Sequence, residues 1–346
     1  MTEKEQTALK NLVDGLREQF QPYNKVEQIQ ADMMELQQRA NETSEGGILL
    51  LTGPSRSGKS KLLKDHALRF PRQPRAILFE EKQWFDRVPV LIMDVPDTNT
   101  KNLTERFLAK LLGTTTRDVK NAGNSRFIIT EDIAEIVKQR EVRLTIFDEA
   151  HQGIDTKSPD RIKETATVFK DFSNYGTNSL VVAGTDRVLR LIDASPEFAG
   201  RILYDHELTP FRIDHPQEWA TFLDLLDVID DYLRDNVFGK KSGLIKEVLS
   251  KPLHSGGRGL IGHAAALVEL GAKEVITDMA AGVSGVKVIT LDHLARGFGK
   301  SPLRRGILSP FPEPKVKPAK DTPAHDAETR NRGRAHRTNQ DGNLRG

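Results

Sequence analysis

No cysteine occurs among the 346 residues. Disulfides and thiolate metal sites are therefore excluded, and nothing suggests an oxidising compartment. No apolar run approaches the roughly 20 residues of a membrane-spanning helix. The first residues, Met1-Thr2-Glu3-Lys4-Glu5-Gln6, lack the apolar core of a secretion signal. The expectation is a cytoplasmic protein that stays off membranes. A large net charge is also missing, because the total is only +2. That balance is uneven along the chain. Residues 300–346 hold 11 Lys or Arg against five Asp or Glu, a surplus of +6 that leaves −4 on the rest. A basic arm on a mildly acidic body predicts an anionic partner.

What is present describes a folded protein of about two domains, with 37% hydrophobic and 29% charged residues. The chain is organised around Gly46-Gly47-Ile48-Leu49-Leu50-Leu51, an apolar run that reads as a buried strand. It leads directly into Thr52-Gly53-Pro54-Ser55-Arg56-Ser57-Gly58-Lys59-Ser60, and residues 61–70 behind it predict a helix. Strand, G-x-x-x-x-G-K-S loop and helix together are the context of a phosphate-binding loop. The backbone N–H groups of Gly53 to Ser60 can turn inward on phosphates, helped by the positive end of the helix. Lys59 can reach the β- and γ-phosphates, and the Ser60 hydroxyl can ligate Mg²⁺.

Before the loop, two helices are expected. One carries Leu9, Leu12, Val13, Leu16 and Phe20 and ends at Pro22; the other spans about 25–40. Both should pack on the domain that follows. After the loop come an irregular insertion over 72–87, a strand over 87–95 and a helix over 103–112. A polar loop over 114–125 and a helix over 130–140, capped by Thr130, follow. Val142 to Glu149 is an apolar strand ending in Asp148 and Glu149. At the carboxyl end of a parallel strand, Asp148 would hold the Mg²⁺ shell and Glu149 would polarise the attacking water. Ser179 to Asp186 is a fourth strand. Its Thr185 is placed to hydrogen-bond that water or the γ-phosphate, or else to cap the helix over 189–194. Residues 202–208 make a fifth strand. Beyond His215 only helices are expected, over 216–236, 241–250, 260–281 and 291–297. From Lys300 the proline, glycine and basic content predicts disorder.

Asp148-Glu149-Ala150-His151 also spells the acid box of one helicase class. Those helicases need a second lobe with a glycine–arginine motif, which the residues after Asp148 lack. His151 then reads as a loop side chain near the site.

Five strands alternating with helices and followed by a helical lid resemble an AAA+ ATPase. In that family the acid box, a polar residue on the next strand and two arginines follow the phosphate loop. The matching positions are Asp148-Glu149, Thr185, Arg201 and Arg258. Arg201 resembles the arginine that reaches a neighbouring subunit's γ-phosphate, and Arg258 the arginine that senses nucleotide from the lid. Within AAA+ proteins, several segments resemble the TniB and TnsC group of transposition ATPases. They are Ile146-Phe147-Asp148-Glu149-Ala150-His151, Val182-Ala183-Gly184-Thr185, Leu208-Thr209-Pro210-Phe211 and Gly259-Leu260-Ile261-Gly262. The insertion over 72–87 and the long basic tail depart from the compact pattern of that group.

The resemblance implies an α/β domain over 46–213 with a five-stranded parallel sheet and helices on both faces. Helices over 1–45 would precede it, and a helical lid over 214–299 and a disordered basic tail over 300–346 would follow. It implies an ATPase using ATP and Mg²⁺ that assembles with copies of itself, as oligomer or filament, on double-stranded DNA. Such a protein would select target sites or activate a transposase. Lys120 and Arg126 are candidate DNA contacts, because lysine and arginine bind phosphates without reading sequence. Two alternatives stay open. One is a helicase loader or replication initiator with the same motifs; the other is an ATP-dependent signalling switch with little turnover.

Overall fold

The computed structural model describes residues 3–16, 19, 23–39, 46–74, 86–96, 100–121, 126–154, 158–175, 178–283, 285 and 287–313. Its centre is a five-stranded parallel sheet built from β1 (Ile48–Thr52), β2 (Val90–Asp94), β3 (Leu144–Asp148), β4 (Ser179–Ala183) and β5 (Ile202–Glu207). The order across the sheet is β2-β3-β4-β1-β5. β1, β3 and β4 are buried along their whole length. Their near-continuous Leu, Ile and Val content follows from having both faces covered. β5, at the edge, alternates half-buried and exposed residues instead.

Alternation sorts the β1 side chains to opposite faces. Ile48 and Leu50 join a cluster with Phe107, Phe147, Phe169, Phe172 and Phe198. Those rings come from β3 and from α4 (Thr100–Leu112), α7 (Pro159–Ser173) and α9 (Pro196–Ala199). Phe107 and Phe172 stack with centroids 4.5 Å apart. Leu49 and Leu51 face the other way, into an aliphatic cluster under α2 (Asn24–Arg39) and α3 (Lys59–Leu68).

A second core is wholly helical. α10 (Pro216–Leu233), α11 (Glu247–Gly256), α12 (Ile261–Ala280) and α13 (Leu291–Lys300) enclose Phe222, Leu226, Leu253, Leu267 and Leu294. The two amino-terminal helices part company here. α1 (Glu3–Gly15) sends Leu12 into this lid core, with Leu16 just beyond its end, while α2 packs on the sheet.

Several local expectations are corrected. The polar stretch 114–125 contains a short helix, α5 (Thr116–Asn121), whose first turn is tied down by Asp118 accepting from the Thr114 and Thr115 side chains. Thr130 is no cap, because α6 runs from Arg126 to Gln139 and encloses it. The helix expected over 189–194 is α8 (Arg190–Ala194), and a 3-10 turn over Asp186–Leu189 precedes it. The helix expected over 241–250 starts later, at Glu247. The fully buried Asp230 takes the backbone N–H groups of Ser242, Gly243 and Leu244, and that holds residues 242–244 as a loop. Residues 301–313, expected to be disordered, are folded. They make a 3-10 turn over Pro302–Arg304, and Phe311 is buried against Phe298 with ring centroids 5.4 Å apart. One aromatic anchor outweighs the local proline and glycine. The rest of the tail, 314–346, and most of the 72–87 insertion lie outside the described residues.

Candidate functional site

Because all strands are parallel, their carboxyl ends lie along one edge of the sheet. The loop after β1 crosses that edge. Gly53 has φ 147°, and a Cβ there would stand 2.5 Å from the Leu208 carbonyl oxygen, so a side chain is excluded. Arg56 takes a left-handed φ of 69°, a cost of about 1 kcal/mol that its surroundings must offset. Gly58 then caps α3 with φ 104°. Lys59, buried, donates from Nζ to the carbonyl oxygens of Gly53 at 2.7 Å and Pro54 at 2.9 Å. Burial lowers its pKa, and the nearby carboxylates Glu149 and Asp148 oppose that shift. The three side chains therefore share one electrostatic environment. Ser60 follows on the first turn of α3, half-buried.

Asp148 ends β3 and is 2% exposed. Its Oδ1 accepts the backbone N–H of Glu149 at 2.8 Å. Glu149 is itself left-handed, φ 54° and ψ 32°, and opens a 3-10 turn over Ala150–Gly153. It lines the cavity above the loop. Thr185 sits on the adjacent turn after β4. It occupies the capping position of the 186–189 turn, yet its side chain makes no capping hydrogen bond. Its Oγ1 is enclosed and has no hydrogen-bond partner among the described residues. The hydroxyl therefore does not cap the turn, and Thr185 is not among the residues that line the cavity above the loop.

The cavity measures about 370 Å³. One wall is residues 55–61 with Glu149, and the opposite wall is apolar, with Leu225, Ile229, Ile261 and Ala265 from the lid. Tyr23 and Gln19 close it from the amino-terminal side. Burial pushes the Tyr23 hydroxyl up to about 12, and its ring centroid lies 5.5 Å from that of Phe211. A polar, N–H-rich end joined to an apolar end fits a nucleoside triphosphate. For a magnesium ion, the Ser60 hydroxyl and the Asp148 carboxylate offer the hard oxygen donors that such an ion takes alongside phosphates. Among the described residues no group of three or more His, Asp or Glu converges as a metal site; an ion held by one or two protein oxygens plus phosphates needs none.

The arginines are placed differently. Arg201 precedes β5, and its carbonyl accepts from Ile48 N–H at the start of β1. It therefore lies at the amino edge of the sheet, away from its own phosphate loop. Arg258, with φ 55°, turns toward the 301–313 segment, and its Nη2 donates to the Arg305 carbonyl at 3.3 Å. It does not line the cavity. Lys120 falls on α5 and Arg126 opens α6, on either side of residues 122–125, which lie outside the described residues.

Sequence reasoning missed some contributors and left others without a task. Tyr23, Leu225, Ile229 and Ala265 carry no motif and are brought in only by tertiary packing. Gly262 had a signal, its place in Gly259-Leu260-Ile261-Gly262, but no assigned task. Its N–H donates to the Arg56 carbonyl at 3.2 Å, and a Cβ there would approach that oxygen to 2.6 Å. It is the point where α12 touches the loop after β1. His151, expected as a loop side chain near the site, lies there and contacts both Glu149 and the Thr185 turn.

Residues 15–211 match the family model described as bacterial TniB protein. No curated protein matches the sequence. Among solved structures, the chain is similar to the Aeropyrum pernix ORC2 protein in ADPNP–ADP complexes, with 14% identity and a TM-score of 0.51. That alignment covers 78% of this chain and 66% of that one, just under two thirds. Cdc6p from Pyrobaculum aerophilum shows 16% identity and a TM-score of 0.54 over 83% and 69% of the two chains. The Aeropyrum pernix ORC1 protein in complex with DNA shows 12% identity and 0.53 over 84% and 69%. At these identities the likeness is one of fold, a sheet and lid of the AAA+ type.

Proposed function

The chain belongs to the TniB family, and on that footing we propose that it is an ATPase that assembles on double-stranded DNA to direct or activate a transposase. The observation that carries the ATPase part is the meeting of Lys59, Asp148 and Glu149 at one sheet edge, beside an enclosed, unpartnered Thr185 hydroxyl. The DNA and transposase parts rest on the family and on the basic tail.

In this reading the loop N–H groups and Lys59 bind the phosphates, and the lid aliphatics with Tyr23 hold the base. Ser60 and Asp148 would hold Mg²⁺, which when bound would neutralise phosphate charge. Glu149 accepts the proton of the attacking water, and Thr185 orients that water or the γ-phosphate. Arg201 acts on a neighbouring copy's site, so turnover depends on assembly. Arg258 would report lid position only after leaving Arg305. Lys120 and Arg126 remain proposed contacts to DNA phosphates.

The test is Glu149→Gln with ATP and linear duplex DNA. The amide cannot accept the proton, so hydrolysis should fall by about 10² or more while ATP stays bound. Electron microscopy should then show persistent assemblies along the DNA. Wild-type turnover by this variant would remove Glu149 as the base. Inactive variant protein that leaves the duplex bare would remove the DNA assembly.

A further inference from the structure

We propose that His151 is a positioning residue that ties Glu149 to the Thr185 turn; the proposal rests on the reading of Glu149 as the base. The imidazole is 14% exposed and lies between the carboxyl ends of β3 and β4. Its Nε2 stands 3.4 Å from Glu149 Oε2, and its Nδ1 accepts the Thr185 backbone N–H across 3.5 Å. A backbone N–H only donates, so Nδ1 bears the lone pair and Nε2 bears the hydrogen. In this tautomer the ring presents a donor to the carboxylate and an acceptor to the next turn.

Both contacts are long for hydrogen bonds. Packing is what makes them specific. A Cβ on Gly184 would come within 3.1 Å of His151 Nδ1, 3.2 Å of the His151 backbone nitrogen and 2.6 Å of the Val188 side chain. The absence of a side chain at Gly184 is therefore what lets the two turns close on the ring. Among the described residues, the Glu149 carboxylate has no other hydrogen bond or ion pair. A glutamate of this length, 35% exposed, would otherwise spread over several rotamers. One ring therefore restrains the base and senses the position of the turn that carries Thr185.

The experiment compares full-length His151→Ala, His151→Gln and His151→Asn with Glu149→Gln, measuring ATP turnover and ATP affinity by calorimetry. His151→Ala should lower kcat about tenfold, a loss of orientation, and leave affinity unchanged. Glutamine, whose amide nitrogen reaches about as far as Nε2, should recover much of the loss. Asparagine, which reaches only the Nδ1 position, should stay low. In a Glu149→Gln background, His151→Ala should cost nothing further. Wild-type or raised kcat in His151→Ala, or asparagine recovering as much as glutamine, beside an inactive Glu149→Gln would overturn the proposal alone. An active Glu149→Gln would instead overturn the reading of Glu149, and the role of His151 with it.

Discussion

The two walls of the cavity are made by opposite strategies. The sheet wall is polar and built from residues adjacent in sequence, Ser55 to Lys61, with Glu149 from the next turn but one. It holds two non-glycine residues, Arg56 and Glu149, in left-handed conformations, so backbone strain is part of its construction. The lid wall is apolar, unstrained at the cavity, and drawn from α10 and α12, with Ala265 and Ile229 contributed from distant segments. Charged chemistry demands fixed atoms and so leaves a compact motif. An apolar surface demands only shape, which many sequences can supply.

Mutations should separate the walls. The largest effect belongs to the sheet side: Lys59→Ala removes the buried cation and should weaken ATP by about 100-fold or more in calorimetry. Retained affinity would mean the loop does not bind phosphate. Next, Arg201→Ala should bind ATP normally yet lose on the order of 10³-fold in turnover. Mixing it with Lys59→Ala protein should restore activity, because each Lys59→Ala copy still offers Arg201 to its neighbour. Confirmed mixed oligomers without recovery would show that Arg201 does not act across an interface. On the lid side, Ala265→Phe should cost about 1–3 kcal/mol of crowding, roughly tenfold or more in ATP and ADP affinity alike, with kcat preserved. A selective loss of kcat would place the lid wall in the chemistry and erase the contrast.

The smallest effect should come from the tail. Residues 314–346 hold eight Lys or Arg against four Asp or Glu. Ending the chain at Glu313 should leave the melting temperature unchanged and flatten the salt dependence of DNA binding by about one log unit per lost phosphate contact. An unchanged slope would mean that these residues do not touch DNA. Ending it at Gly299 should additionally destabilise the lid, by about 3 kcal/mol from Phe311 alone.

Reading the chain succeeded where the signal is local or where burial is complete. The five strands were visible because parallel, doubly covered strands must be apolar throughout, as in Ile48–Thr52 and Ser179–Ala183. The loop between β1 and α3 was visible because its glycines and Lys59 act locally. The start of α11 was not, because it is set by Asp230, a residue 12 to 14 positions away from the N–H groups it binds. The folded segment 301–313 was not, because Phe311 acquires its meaning only when Phe298 and Gly256 are beside it. Tyr23 escaped for the same reason: nothing before β1 signals that a tyrosine there will face the loop behind it.

The parting of α1 and α2 has a mechanical consequence. The lid is joined to the sheet by the backbone that follows β5, and again by the chain that runs from Leu16 in one core to Val26 in the other. Gln19 and Tyr23, on that second connection, form part of the cavity's lining. The helical core is thus tied to the sheet at two places along the chain, and the second tie carries two of the cavity's lining residues.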